Sequence, residues 1–263
     1  MKIFTKEILI QKFKDIKRMG WIENNRHNNH GGIGNTLEDL LGIEENNLPI
    51  PNAAEWELKA QKIGSSSLTT LFHSEPSPRA LKFVPSILLP NYGWAHKEAG
   101  KKYQINEMSF RQTINGNNFT NRGFGIQIDR ASNKILITFD SKKVDTIHSD
   151  WLKSVENNIG LGELNPQPYW GFDDLMHKAG TKLPNTFYVQ AEVKKDKETK
   201  KESYYYCKVL MLQKFNFEGF LKSLEKGNIL IDFDARTGHN HGTKFRLRQN
   251  NFTDLYESIT EVI

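Results

Sequence analysis

The chain predicts a mixed fold of the α+β kind, and three features carry that prediction. One segment has helical periodicity. Several have two-residue alternation. The two kinds follow each other without the regular strand–helix–strand rhythm of a doubly wound sheet. Taken in order, residues 6–18 read as an amphipathic helix, with Ile8, Leu9, Phe13 and Ile16 near helical spacing, Thr5 as N-cap and Gly20 as stop. A polar Asn-, His- and Gly-rich loop follows, including His27 and His30. Asn35 or Thr36 then caps a short helix that turns Leu37, Leu40 and Leu41 inward and ends at Gly42. Glu55 to Gln61 reads as a strand, with Trp56, Leu58 and Ala60 alternating against Glu57, Lys59 and Gln61. Leu68 to Phe72 is expected to form a helical turn.

Further on, Phe124–Asp129 with Lys134–Asp140 and Phe187–Val193 with Tyr204–Leu210 read as two hairpins. The tip of the second, Lys194 to Glu202, reads as a solvated loop, with a phosphate-contacting arm as the alternative. Phe217–Leu224 is a helix stopped by Gly227. Asn228–Phe233 and Lys244–Arg248 are strands, and a closing helix is expected from Phe252 onward. Tyr204, Tyr205 and Tyr206 are consecutive on a strand, and packing is their default role. Trp94, Trp151 and Trp170 lie in loop-like contexts at core or rim.

Composition excludes several classes. With 263 residues, 37% hydrophobic content and a mean hydropathy of −0.61, the chain buries roughly 70–75% of its unfolded surface without a staple. Apolar runs are as short as Ile229–Ile231, far below the ~20 residues of a membrane span. Lysines at 6, 12, 14 and 17 break up any signal-type apolar core. Cys207 is the single cysteine, so a reducing cytoplasm is the expected setting. Net charge is +5, which permits a polyanionic partner without demanding one. From Ala235 to Thr253 there is no Asp or Glu, yet Arg236, Lys244, Arg246, Arg248 and two histidines are present.

The chemistry sits in Pro51-Asn52-Ala53-Ala54-Glu55-Trp56-Glu57-Leu58-Lys59. Glu57 and Lys59 project from one face of a strand. A carboxylate there can hold a hard divalent cation. An ammonium beside it can orient a water that attacks phosphorus while the metal offsets phosphate charge. Glu-x-Lys is half of a P-D-x(n)-E-x-K nuclease motif, and the other half would be an aspartate where this chain has Asn52. On its own, Glu-x-Lys is more often a solvated strand face.

The flanking text adds to the motif. Gly34-Asn35-Thr36-Leu37-Glu38-Asp39-Leu40-Leu41-Gly42-Ile43 precedes it, and Ser65 to Pro76, with His73, follows it. In that order the chain resembles the MvaI/BcnI family of restriction endonucleases, relatives of the mismatch-repair nicking enzyme MutH. The resemblance is densest over 31–79 and returns at Gly238–Arg248. It implies a restriction-endonuclease-like PD-(D/E)XK core, a central mixed sheet flanked by helices, and two lobes around a DNA cleft. The catalytic lobe is expected over 1–140, joined by a C-terminal helix at 251–263, and the recognition lobe over 141–250. By resemblance, Glu57 is a metal-binding carboxylate with Leu58 beside it, and Lys59 is the motif lysine. Glu38 supports the site from a helix, and His73 stands where some members place an active-site histidine. For Glu38 a helix-surface carboxylate, and for His73 an ordinary polar contact, remain the alternatives.

Asn52 departs from the pattern. An amide oxygen can ligate Mg²⁺, but one negative charge is missing. Either Asn52 is an introduced substitution in an otherwise intact site, or it is native to a weak or dead enzyme. In Arg236 to Arg248, His239-x-His241 admits a zinc reading or one of scattered solvated cations. The resemblance implies DNA readout instead. His239, His241 and Arg246 would then meet base edges, and Lys244, Arg248 and Arg236 would complete the DNA-binding set.

The resemblance therefore implies a type II restriction endonuclease. It would hydrolyse double-stranded DNA with Mg²⁺, leave 5′-phosphate and 3′-hydroxyl, and act as a monomer that cuts one strand at a time. A cognate DNA methyltransferase would belong to the same restriction-modification system. A MutH-like repair nicking endonuclease and a catalytically dead DNA-binding protein remain alternatives.

Overall fold

The computed structural model describes residues 4–24, 32–43, 53, 55–65 and 67–263. The chain runs α1 (Lys6–Arg18), β1 (Ile22–Glu23), α2 (Gly32–Leu41), β2 (Trp56–Lys62) and β3 (Leu68–His73). It continues with α3 (Leu89–Tyr92), β4 (Trp94–Ala95), β5 (Met108–Ile114), β6 (Arg122–Asp129), β7 (Lys134–Val144), α4 (Ser149–Ile159), β8 (Tyr169–Gly171) and α5 (Phe172–Lys182). The last elements are β9 (Asn185–Lys195), β10 (Glu202–Phe215), α6 (Phe217–Glu225), β11 (Ile229–Arg236), β12 (His239–Asn240), β13 (Lys244–Arg248) and β14 (Tyr256–Glu261). The mixed α+β class is what the sequence predicted. None of the helices among the described residues is long and apolar enough to cross a membrane.

The chain divides into two compact units. The first comprises 1–67, 178–217 and 249–263, and the second 68–177 and 218–248. These boundaries differ from the expected break at residue 140. Chain order misleads here because the first unit is assembled from three separate segments.

The first unit is built on a five-stranded sheet in the order β1-β10-β9-β2, with β14 on the second half of β10. β9 and β10 form the long antiparallel hairpin, and β2 adds to β9 in parallel at the sheet edge. α1 forms where expected. Thr5 accepts a hydrogen bond from the Ile8 amide, and Leu9, Phe13 and Ile16 are buried. They share a core with Leu37 and Leu41 of α2, with Trp56 and Leu58 of β2, and with Phe187, Val189, Tyr204 and Tyr206. The Trp56 and Phe187 rings are 4.4 Å apart, and each such buried aromatic contributes roughly 2–3 kcal/mol. α2 starts at Gly32, ahead of the expected cap at Asn35 or Thr36, and Thr36 is buried within it. A side chain at Gly32 would run into the Tyr204 hydroxyl and Asn24, so glycine lets the helix start close to the sheet.

The expected C-terminal helix at 251–263 is not formed. A 3₁₀ segment, Gln249–Leu255, leads into β14, which pairs with β10 from Phe215↔Tyr256 to Leu210↔Glu261. Tyr256, Ile259 and Thr260 favour a strand, and the open edge of β10 gives it backbone partners.

The second unit holds a six-stranded sheet, β3-β13-β11-β5-β4 with β12 on β11, and a three-stranded sheet, β6-β7-β8. The expected helical turn at Leu68–Phe72 is strand β3, paired antiparallel to β13. The β-branched Thr69 and Thr70 suit that role. Phe72, Phe245 and Phe220 stack under this sheet at centroid distances of 5.0–6.0 Å. The hairpin of β6 and β7 packs Phe124 and Phe139 against Tyr92.

Candidate active site and DNA-reading face

In the first unit, β2 divides its side chains between the two sheet faces. Trp56 and Leu58 face the helices. Glu57 and Lys59 face the other side, beside Thr186 and Tyr188 of β9 in register. That second face is also closed at Glu57, which is only 1% exposed. An isolated buried carboxylate would cost several kcal/mol. Two ammoniums offset that cost. Lys59 Nζ lies 2.7 Å from Oε1, and Lys182 Nζ lies 3.1 Å from Oε2. Both lysine side chains are 17% exposed. Oε2 has no hydrogen bond among the described residues, so Lys182 supplies charge to it rather than an aligned donor.

Tyr256 of β14 backs this centre. Its hydroxyl shares a 2.6 Å hydrogen bond with Thr186 Oγ1. Burial, and also the Glu57 charge, hold its phenol well above the ordinary tyrosine range, so it stays neutral. Tyr188 adds a hydrogen bond to Gln61 and stacks on Phe252 at 4.9 Å.

The strand edge adds a further oxygen. The Ile63 amide bonds to Ala191 on β9. Trp56 pairs its backbone with Ala53 instead, and Lys62 offers its carbonyl to Gln249. Even-numbered residues of β2 therefore turn their backbone groups away from β9. Alternation puts the Leu58 carbonyl with them on the side away from β9, the sheet edge among the described residues. A buried carboxylate with an unbonded oxygen and an edge carbonyl fit a hard divalent cation, with water and phosphate as the remaining ligands. Among the described residues no group of three His, Cys, Asp or Glu side chains converges. Asn52, like His27 and His30, lies outside the described residues.

The other expected catalytic residues are spread out. Glu38 is half-buried on α2, which packs against β2. His73 is exposed at the end of β3, opposite Lys244, and belongs to the second unit rather than to the unit of Glu57. Lys182 and Tyr256 were missed by sequence reasoning. Lys182 reads as an ordinary cation at a helix C-terminus, and Tyr256 fell inside the expected helix.

In the second unit, Phe245 and Leu247 are fully buried while Lys244 and Arg246 are half-exposed and Arg248 is exposed. The polar face of this sheet is laced with ion pairs. Arg246 Nη1 is 2.7 Å from Asp232, and Nη2 donates to the Leu68 carbonyl at 3.1 Å. Asp232 also accepts from Thr113 at 2.6 Å. Arg111 grips Asp234 with two donors at 2.7 and 3.0 Å. Although burial works against it, Arg111 holds the Asp234 carboxyl below its ordinary range. Arg236 pairs with Glu107 at 3.0 Å and lies over the Tyr103 ring. Arg248 donates to the Gly227 carbonyl.

His239 and His241 are both exposed and touch at 3.3 Å through Nε2 and Nδ1. Gly238, at φ +70°, makes the tight turn that returns the chain from β11 to β12. Glu75 anchors the loop by accepting from the Thr243 amide at 2.8 Å and its hydroxyl at 3.1 Å. Sequence reasoning missed Glu75 because its partners lie far along the chain.

Comparison with known proteins agrees with this architecture. The restriction endonuclease MvaI in complex with cognate DNA substrate matches with a TM-score of 0.75 and 24% identity, over 99% of this chain and 100% of that one. MvaI in the absence of DNA matches with a TM-score of 0.58 and 25% identity over the whole of both chains. Among curated proteins the chain has no match. Residues 10–256 match the model of the MvaI/BcnI restriction endonuclease family, and the chain belongs to that family.

Proposed function

We propose that the chain is a Mg²⁺-dependent type II restriction endonuclease that cuts double-stranded DNA as a cytoplasmic monomer, one strand at a time. Membership of a restriction endonuclease family supports a site-specific nuclease acting on DNA, and divalent metal ions are the general cofactor of such enzymes. The observation that carries the reading is the buried Glu57 carboxylate held between Lys59 and Lys182 on an edge strand. A cognate methyltransferase is the expected companion.

Glu57 and the Leu58 carbonyl, with the side chain at position 52, are the groups that would hold the cation. When bound, Mg²⁺ supplies a Lewis acid that offsets charge on the scissile phosphate and acidifies a water. Lys59 orients the attacking water and takes up developing negative charge. Lys182 holds the Glu57 carboxylate in place. Glu38 supports the centre from α2. Arg246, His239 and His241 read base edges, arginine favouring guanine O6 and N7. Arg236, Lys244 and Arg248 complete the DNA-binding set. Asn52 leaves the centre one negative charge short and slows cleavage.

Supercoiled-plasmid cleavage with Mg²⁺ tests the reading on this chain and on Asn52→Asp. The variant is expected to nick and linearise plasmid at discrete sites, on the order of 10²-fold or more faster than the parent chain, since a ligand charge is restored. Two inert chains that still bind DNA would return the function to the non-enzymatic alternative.

A further inference from the structure

Arg122 at the start of β6 stands out among the charged groups of the second unit. Arg111, Arg130, Arg236 and Arg246 each hold a carboxylate within 3.0 Å. No carboxylate among the described residues pairs with Arg122. Its guanidinium carbon lies 4.0 Å from the Trp94 ring centroid and 5.3 Å from that of Trp151. Nη1 meets His148 Nε2 at 3.1 Å, and Nε is buried without a partner. The Trp151 indole is itself fixed by donating to the Tyr92 carbonyl at 3.1 Å.

A guanidinium flanked by two indoles is desolvated and held in one orientation. Desolvation disfavours its charge, and its pKa is lowered by that burial. The His148 ring is pushed down as well, first by burial and then by the Arg122 charge, with Asp145 opposing. Asp145 is engaged in accepting from the Ile147 amide. The pair is therefore short of one counter-ion that could accept from a planar fork and an imidazole together. A phosphodiester oxyanion has that geometry and charge. The flanking surface suits a polyanion, because Lys142 and Lys143 are exposed next to Val144, the strand partner of Arg122.

We propose that Arg122 and His148 form a phosphate-binding site that grips the backbone of double-stranded DNA, outside the base-reading face. The site contributes affinity at any sequence and carries no base information. This inference rests on the DNA-cutting reading above. Binding of a fluorescent random-sequence duplex by the wild-type chain tests that reading, and the variants below test the site.

The test follows duplex binding across a salt series for wild type, His148→Asp and Arg122→Gln, with thermal unfolding measured alongside. His148→Asp gives Arg122 a carboxylate, so the thermal midpoint holds or rises. The same change places an anion where the phosphate would sit. Its expected effect is about a tenfold loss of duplex affinity, the worth of one charge-assisted hydrogen bond, and a salt slope lowered by about 0.9. Arg122→Gln is expected to lose the same increment of slope. Either folded variant binding with wild-type affinity and slope overturns the site. So does a wild-type chain that binds inorganic phosphate at His148, followed by NMR, yet gives variants equal to it on DNA. A wild-type chain that binds no duplex overturns the nuclease reading together with this one.

Discussion

Glu57 is 1% exposed between two lysine ammoniums, whereas Asp232 and Asp234 are half-buried, each facing an arginine and the solvent. The two regions use the same chemical groups with opposite sign logic. In the first unit a single carboxylate is enclosed and held between two ammoniums. In the second unit carboxylates hold arginines in extended, half-exposed positions. Exposed pairs of that kind contribute little to stability, about 0–1 kcal/mol. Chemistry on a phosphate calls for fixed charge in a dry site. Reading a sequence calls for donors that are preorganised and still reachable.

This contrast is sharpest at Lys182. Lys182→Met in the Asn52→Asp background leaves Glu57 with Lys59 alone. Plasmid cleavage is expected to fall about a hundredfold, the cost of losing one close charge from a buried centre, while duplex affinity changes little. Equal activity in the two chains would reduce Lys182 to a helix-end cation.

Arg246→Ala breaks the comparison from the other side. Specific affinity is expected to drop by about 1–3 kcal/mol with relaxed discrimination at one base pair, and thermal stability should barely move. A competition assay with duplexes varied one position at a time reads both. A uniform loss at every sequence would make Arg246 a phosphate contact instead.

The smallest expected effect concerns Asp234. Its pKa in the fold lies below the unfolded value, so its contribution to stability is complete above the usual carboxylate pKa of about 3.9. That contribution disappears as pH falls through the lower, folded value. Asp234→Asn should therefore be less stable than wild type by no more than about 1 kcal/mol at neutral pH. The gap should close in strong acid, as denaturant titrations at two pH values would register. A gap that widened in acid would contradict the pairing with Arg111.

Local signals made much of the fold legible. Thr5 and the spacing of Leu9, Phe13 and Ile16 define α1, and alternation defines β2 and the hairpin of β9 and β10. The Glu57–Lys59 contact follows from a two-residue spacing on one strand. What escaped is non-local. β3 and β14 are short segments made strands by partners far along the chain, β13 and β10. Lys182 reaches Glu57 because the end of α5 runs directly into β9, the strand parallel to β2. Glu75 and the carboxylates that hold the arginines likewise belong to other strands.

The proposed function assigns cutting and reading to separable sets of side chains. Glu57→Gln in the Asn52→Asp background tests it most directly, with sequence-specific duplex binding and plasmid cleavage measured on the same preparation. Cleavage is expected to fall by on the order of 10³-fold or more, with specific binding retained within a few-fold. Loss of specific binding together with cleavage in a folded variant, or cleavage that persists without the carboxylate, would contradict it.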